Sequence, residues 1–486
     1  MIKQTELFIG GLDVKPQTGL YFDVLAPETE QLFARVAQAS QPDVELAVKT
    51  ARNGFKTWSA LAPKAREAAL LKAADLVAAE GKTRLLDILI DESGSAITKA
   101  TFEINYTVDL LRTAAGEARR LYGDTFPNDN PERLSMVFRH PVGVVAVVSP
   151  YNAPLSLLTK MAAFPLAAGN AVVIKPSEQT PVIAIEFAKI LIEAGVPADA
   201  VSVVTGFGVE CGAPLVEHQD VNCIALTGST QTGIHIGATA MKRMVRAQLE
   251  LGGKSAALVL DDVDPVKAAA IVAQGIFTHA GQICMANSRV IVAKAIYADF
   301  ISALKTAAES LPIGNLRDPK TIYGPLINRA AVNKISQHIA EAVAAGAEIL
   351  TGGKTLPYPN GQPSLVFQPT VLLNSPLHCS AWRDESFGPL TNVVVAEDLD
   401  HAIALANDSQ FGLSASVLTK NIYAAMRAAK EIDAGSVHIG MHSFQSNALA
   451  PIGGSKLSGL GRSGGAYSTE EFTELKWVSI ELNAVL

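Results

Sequence analysis

The chain has 486 residues, 49% hydrophobic and 18% charged, a globular composition long enough for roughly three domains at ~150 residues each. Acidic side chains outnumber basic ones by 47 to 40, and the net charge of -7 argues against nucleic acid as the main partner, because phosphate binding requires a basic surface. The opening Met1-Ile2-Lys3-Gln4-Thr5-Glu6 lacks a secretory apolar core, no run reaches the ~18 apolar residues of a membrane span, and the scattered Cys211, Cys223, Cys284 and Cys379 predict a cytoplasmic chain without a membrane segment, disulfide framework or metal site.

In chain order, the first clear pattern is a helix over residues 43–58. Ser40-Gln41-Pro42-Asp43 can cap it, and Val44, Ala47, Val48, Ala51, Phe55 and Trp58 form its buried stripe. Residues 133–139 alternate polar and apolar, as an edge or arm strand does. From Val142 onward a strand–loop–helix rhythm sets in, with strands over 144–148, 171–174, 201–204 and 223–226, and with Thr180-Pro181 capping the helix after the second. This rhythm is that of a doubly wound α/β nucleotide-binding sheet of Rossmann type. A second α/β series begins with strands over 256–260 and 290–292 and runs to about residue 449. Residues 474–482 then alternate as 133–139 do, and both segments read as an arm for subunit pairing.

Three glycine loops compete for a phosphate. Gly459-Leu460-Gly461-Arg462-Ser463-Gly464 matches the dinucleotide fingerprint letter for letter, but only 22 residues follow it and a βαβ unit needs about 30. It is expected to be a packing segment. Gly206-Phe207-Gly208 follows a strand, but its third glycine, Gly212, comes one residue late. Thr227-Gly228-Ser229-Thr230-Gln231-Thr232-Gly233 follows a strand and opens a helix, where free N–H groups and the helix dipole attract a pyrophosphate. An ordinary N-capped helix explains the same letters equally well.

Chemistry is carried by Gly281-Gln282-Ile283-Cys284 and Glu250-Leu251-Gly252-Gly253-Lys254. A thiol nucleophile and a carboxylate base are what is needed to form a thioester and then hydrolyse it. Beside a bound dinucleotide, such a pair makes an aldehyde-oxidising site. A buried packing cysteine fits poorly with Gly281 and a polar Gln282 next to it.

Taken together, these motifs resemble the aldehyde dehydrogenase superfamily over nearly the whole chain. The resemblance also rests on Ser149-Pro150-Tyr151-Asn152-Ala153-Pro154, Lys175-Pro176-Ser177-Glu178, Glu385-Ser386-Phe387-Gly388-Pro389 and Pro451-Ile452-Gly453-Gly454-Ser455-Lys456. It implies an α/β, aldehyde-dehydrogenase-like fold in three parts: a dinucleotide domain (1–122 and 142–253), a catalytic domain (254–457) and a small β oligomerisation arm (123–141 and 458–486). It further implies a homodimer or homotetramer acting on a small aldehyde.

The resemblance makes Cys284 the nucleophile, Asn152 the side-chain oxyanion donor and Glu250 the base that activates water, expected at a mobile, glycine-flanked position. It places Lys175, Ser177, Glu178, Gly228, Ser229, Glu385 and Phe387 at the cofactor. Glu178 can accept a bond from a ribose 2′-hydroxyl, and its charge would repel a 2′-phosphate, so NAD is expected over NADP. Ala153, Lys160, Ile283, Met285, Phe444 and Ile452 are the candidate substrate walls, suited to an apolar or aromatic aldehyde of the benzaldehyde or vanillin type. Lys160, eight residues after Asn152, is expected either to meet a polar substrate or to snorkel at the surface. Two positions depart from the family pattern: Val437-His438-Ile439-Gly440, and Ser463 where many members have an acid. The alternatives are a CoA-acylating semialdehyde dehydrogenase, against which Glu250 argues, and a cofactor-independent cysteine hydrolase or acyl-transferase, which would need a histidine partner such as His279.

Overall fold

The computed structural model describes residues 3–358 and 361–483. Its first sheet has eight strands in the order Gly459–Leu460, Arg246–Glu250, Cys223–Thr227, Val144–Val148, Ala171–Lys175, Val201–Val203, Leu7–Ile9 and Leu12–Val14. The five strands from Val144–Val148 to Arg246–Glu250 are parallel and, numbered along the chain, lie in the order 3-2-1-4-5. The connections therefore reverse direction between Val144–Val148 and Cys223–Thr227. In open α/β sheets the crevice beyond the strand ends at that point is where ligands bind. Both flanking strands, Ala171–Lys175 and Cys223–Thr227, are buried along their whole length, which is why they read as apolar runs and not as alternation.

The predicted strands recur with shifts of one residue: 144–148 coincides, 171–174 extends to Lys175, 201–204 stops at Val203, and 223–226 extends to Thr227. The first helix is Gln41–Ser59, and the Ser40 N–H donates to the Asp43 carboxylate at 2.8 Å. Phe55, expected in its buried stripe, is half-buried. The capping expectation at Thr180 needs correcting. Pro181 does start the helix Pro181–Glu193, but the Thr180 hydroxyl is buried without a hydrogen bond. The Glu92 carboxylate, from the helix Arg84–Ser93, instead accepts the Val182 and Ile183 N–H groups at 2.6 and 3.0 Å. Glu103, on Ile97–Ala118, serves the helix Ser156–Ala168 in the same way, accepting from Leu155 and Ser156 at 2.8 and 3.1 Å. Each supplies the acceptors that orphan N–H groups at a buried helix start require.

The second sheet has seven strands, in the order Glu348–Thr351, Thr370–Leu373, Leu390–Ala396, Arg289–Ala293, Ala256–Val259, Ser414–Leu418 and Ser436–Ile439. Only the pairing of its first two strands is antiparallel. Each large sheet has its own hydrophobic core. The two alternating segments, Arg133–Pro141 and Thr473–Glu481, pair with each other in antiparallel register and leave Leu475 and Trp477 exposed. Before reaching that pairing the chain returns to the first sheet: Gly459–Leu460 pairs with Leu249 and Glu250, and this brings Ser463 to Glu250. Among the described residues no helix is long and apolar enough to cross a membrane, and no cluster of three metal-ligating side chains occurs.

Candidate active site

A cavity of about 1140 Å³ lies along the carboxyl ends of the parallel strands, with Val148, Lys175 and Thr227 at its wall. Lys175 is buried, and its ammonium donates to the Pro176 carbonyl at 2.8 Å. Burial pulls its pKa down, while Cys211 and Glu178 act in the opposite sense. Ser177, Glu178, Gly228 and Ser229 also line the cavity. The two explanations of the Thr227–Gly233 segment turn out to be compatible: Ser229 caps the helix Thr230–Lys242 by accepting from the Thr232 N–H at 3.2 Å, and it faces the cavity. The loop passed over in the sequence, Gly206-Phe207-Gly208, contributes Phe207 and Gly208, and with them Gly212, to the cavity wall. Its late third glycine had hidden it. The fingerprint match at Gly459 is a packing segment: side chains on Gly459 and Gly464 would run into the backbone of Leu249 and Ala450 at 2.1 and 1.9 Å.

Tyr151, Asn152, Cys284, Glu385 and Phe387 line the same cavity. The turn leading to Cys284 is left-handed at three consecutive residues, with φ of 52° at His279, 52° at Ala280 and 69° at Gly281. A side chain on Gly281 would lie 2.2 Å from the Gly388 carbonyl oxygen, so close approach as well as φ requires glycine there. Gln282 is fully buried. Its amide donates to the His279 and Pro325 carbonyls at 3.3 and 3.2 Å and accepts from the Ile327 N–H at 2.9 Å. Asn152 Nδ2 donates to the Gln282 carbonyl at 2.9 Å, which fastens the amide to the turn that carries the thiol.

Cys284 keeps part of its surface open to the cavity. Surrounding protein, then the charges of Glu385 and Glu250, push its thiol up to about 12, with Lys160 opposing. His279 is no proton partner for it. Burial and the charge of Lys99 hold the imidazole well below its usual range, and Nε2 has no hydrogen bond. Glu385 accepts the Gly253 N–H at 2.9 Å, and burial raises its pKa. Phe387, at φ 52°, meets the Tyr151 ring edge-on at 5.8 Å. Behind them, the buried Lys254 donates to Ser386 at 3.3 Å, and burial followed by Arg289 brings its pKa down to about 7. Lys334, from the helix Arg329–Ala344, also lines the cavity, although nothing in its exposed helical spacing distinguishes it in sequence.

Glu250 ends the strand Arg246–Glu250 and is buried. Three side chains contact its carboxylate: Lys160 Nζ lies 3.0 and 3.3 Å from its two oxygens, Gln248 Nε2 donates at 3.3 Å, and the Ser463 hydroxyl donates to Oε1. Lys160 therefore does not snorkel, and neither it nor Glu250 lines the large cavity. Ala153, Ile283, Met285, Phe444 and Ile452 do not line that cavity either. Ile283 and Met285 flank Cys284, and Ser443, beside Phe444, donates to the Met285 carbonyl. Ile452 exchanges backbone bonds with Ser463 at 2.9 and 2.8 Å. His438, the other departure, is a part-buried residue in the strand Ser436–Ile439.

A 3-2-1-4-5 sheet with a long cavity on its strand ends, closed by a cysteine turn from a second α/β unit, defines a dinucleotide-dependent dehydrogenase with a thiol at its centre. The chain belongs to the aldehyde dehydrogenase family, whose profile matches residues 14–478. It is 36% identical over 478 residues to benzaldehyde dehydrogenase YfmT of Bacillus subtilis, covering 98% of this chain and 96% of that one. It is 34% identical over 475 residues to glutarate-semialdehyde dehydrogenase of Pseudomonas aeruginosa, covering 98% and 97%. Among solved structures it resembles an NAD-dependent aldehyde dehydrogenase from Sinorhizobium meliloti (33% identity, TM-score 0.96, covering 100% of this chain and 96% of that one). It also resembles an NADP dependent enzyme from E. coli (33%, TM-score 0.95, covering 99% and 98%).

Proposed function

We propose that this protein oxidises an aldehyde to the carboxylic acid with NAD as the acceptor, through a thioester on Cys284. The observation that carries the reading is that Asn152, hydrogen-bonded to the nucleophile turn, and Cys284 lie together at the wall of the dinucleotide-sized cavity. The cavity suits the cofactor. Gly212 and Gly228 leave space that a Cβ would fill at 3.4 Å from Lys175 and 3.1 Å from Leu226, and the volume exceeds the ~300–1,000 Å³ of ordinary ligand pockets. Lys175, Ser177, Glu178, Gly228, Ser229, Glu385 and Phe387 would hold the dinucleotide, which when bound supplies the acceptor for the aldehyde's hydride. Glu178 favours a free 2′-hydroxyl over a phosphate.

In this reading the Cys284 thiol gives up its proton to water in the cavity as its sulfur bonds to the aldehyde carbon, and Asn152 Nδ2 and the Cys284 N–H bind the oxygen that becomes negative. After oxidation, Glu250 takes a proton from water, whose oxygen bonds to the acyl carbon as the carbon–sulfur bond breaks. Ile283, Met285 and Phe444 around Cys284 favour an apolar or aromatic aldehyde. Four free cysteines suit a reducing cytoplasm, and the exposed apolar residues of Thr473–Glu481 suit a homodimer or homotetramer.

The test is NADH formation from benzaldehyde and glutarate semialdehyde, with NAD or NADP and with or without CoA. Oxidation without CoA, faster with NAD and with benzaldehyde, is expected. Absence of NADH from either aldehyde would overturn the reading, and NADH only with CoA would replace it by the acylating one.

A further inference from the structure

Lys160 is buried in the middle of the helix Ser156–Ala168, where nothing in the reaction described above uses it. A buried ammonium needs a counterion, and its partner is the Glu250 carboxylate. That carboxylate is held from three directions: by Lys160 on the helix, by Gln248 on its own strand and by Ser463 on the returning loop. The helix that carries Lys160 begins just after the turn bearing Asn152 and is fixed at its start by Glu103. The helix thus follows directly on the turn bearing the oxyanion donor and, about 6 Å beyond its first residue at 1.5 Å per residue, carries the cation on the base.

We infer that Lys160 is a positioning residue for hydrolysis: its ammonium supplies the countercharge that anchors the buried Glu250 carboxylate, and it does not bind the substrate. The inference rests on the role of Glu250 as the base in the proposed function. Glu250 must begin the hydrolytic step as the anion, since it receives the proton of the attacking water while the carbon–sulfur bond breaks to return the Cys284 thiolate. The buried anion depends on a countercharge, and opposite charge favours the ionised form. Tyr106, on the helix Ile97–Ala118, and Cys284 also feel the charge of Glu250. Tyr106 and Cys284 are neutral near pH 7, each held protonated by burial, and the cation in contact with the base is Lys160.

The test is the pH profile of steady NADH formation, with stopped-flow measurement of the first turnover. In K160M the first-turnover burst should persist, the steady rate should fall about 10- to 100-fold, and the acid limb should move up by about one pH unit or more. K160R should restore both. In an E250Q background, K160M should have no further effect on steady turnover. An unmoved acid limb in K160M would overturn the inference. So would a loss confined to glutarate semialdehyde relative to benzaldehyde, which would make Lys160 a substrate anchor. If K160M does not fold, K160Q takes its place with the same expected rise and the same overturning result. A wild-type enzyme that oxidises neither aldehyde would refute the proposed function itself, which is a distinct outcome.

Discussion

Gly253 lies against the backbone of Cys284: a side-chain carbon built on the glycine would stand 2.3 Å from the Cys284 carbonyl oxygen. Its neighbour Gly252 is closed off by Glu385, whose Oε2 would be 2.5 Å away. These two glycines let the strand end bearing Glu250 pass directly under the nucleophile turn and the Glu385 carboxylate.

Gly253→Ala should therefore damage the site more than the fold. The contact is with backbone, so the nucleophile turn must shift, costing about 1–3 kcal/mol by overpacking. Misplacement of Cys284 by about 1 Å is expected to lower kcat/KM about 100-fold. Stopped-flow NADH formation alongside thermal melting checks this; a variant with a lowered Tm and full activity would refute it.

Glu178→Ser should relax the discrimination against NADP. Removing one negative charge from the cavity wall is expected to raise the ratio of kcat/KM for NADP over NAD about 10-fold or more. Initial rates with both dinucleotides measure this directly, and an unchanged ratio would move the source of the preference elsewhere.

Without dinucleotide, Cys284 should behave as a thiol across neutral pH. Its surroundings push it up to about 12, so alkylation by iodoacetamide should rise about tenfold per pH unit from pH 7 towards pH 10 without levelling. The readout is mass spectrometry of the Cys284 peptide over time. A plateau near pH 7 would mean that the thiolate is already formed.

The parallel strands and the nucleophile turn were legible because each is written in a contiguous run: β-branched strands, a glycine at a left-handed position, a cap before a helix. The Lys160–Glu250 pair was not, since its partners lie 90 residues apart and either residue alone reads as surface charge. Glu92 and Glu103 escaped for the same reason. Each sits on a helix where a glutamate is ordinary, and each caps a different helix across the packing interface. Gln282 is buried although polar, because its amide satisfies the buried His279 and Pro325 carbonyls, partners that no local pattern reveals. Local periodicity records which face of an element is buried, not which distant polar group it meets.

Glu103→Ala should expose the cost of one such long-range cap. It strands the Leu155 and Ser156 N–H groups and leaves Lys99, 2.5 Å from the carboxylate, without its partner. Unfolding in urea should show a loss of about 2–4 kcal/mol. Because Asn152 precedes the same helix, the remaining folded enzyme should also lose turnover. Glu103→Gln keeps one acceptor and should recover part of the stability.

Lys254 predicts how stability changes with pH. Its pKa falls from 10.5 in an open chain to about 7 in the fold, so between these values the unfolded chain binds more protons and stability rises with pH. The gain is fully present above the unfolded value and is lost as pH falls towards about 7. Cys211, Cys223 and Cys284 act oppositely but only above their ordinary value of 9.0, where the unfolded thiols ionise and the folded ones do not. His338, lowered to about 4 by burial, acts only below its ordinary 6.5. The window from about pH 7 to 8.5 therefore isolates the lysines, Lys175 adding a smaller share in the same direction. Urea unfolding of wild type should gain on the order of 1 kcal/mol per pH unit across that window. Lys254→Met should flatten the slope, because no proton is then taken up on unfolding at that site; an unchanged slope would mean that Lys254 stays charged beside Ser386.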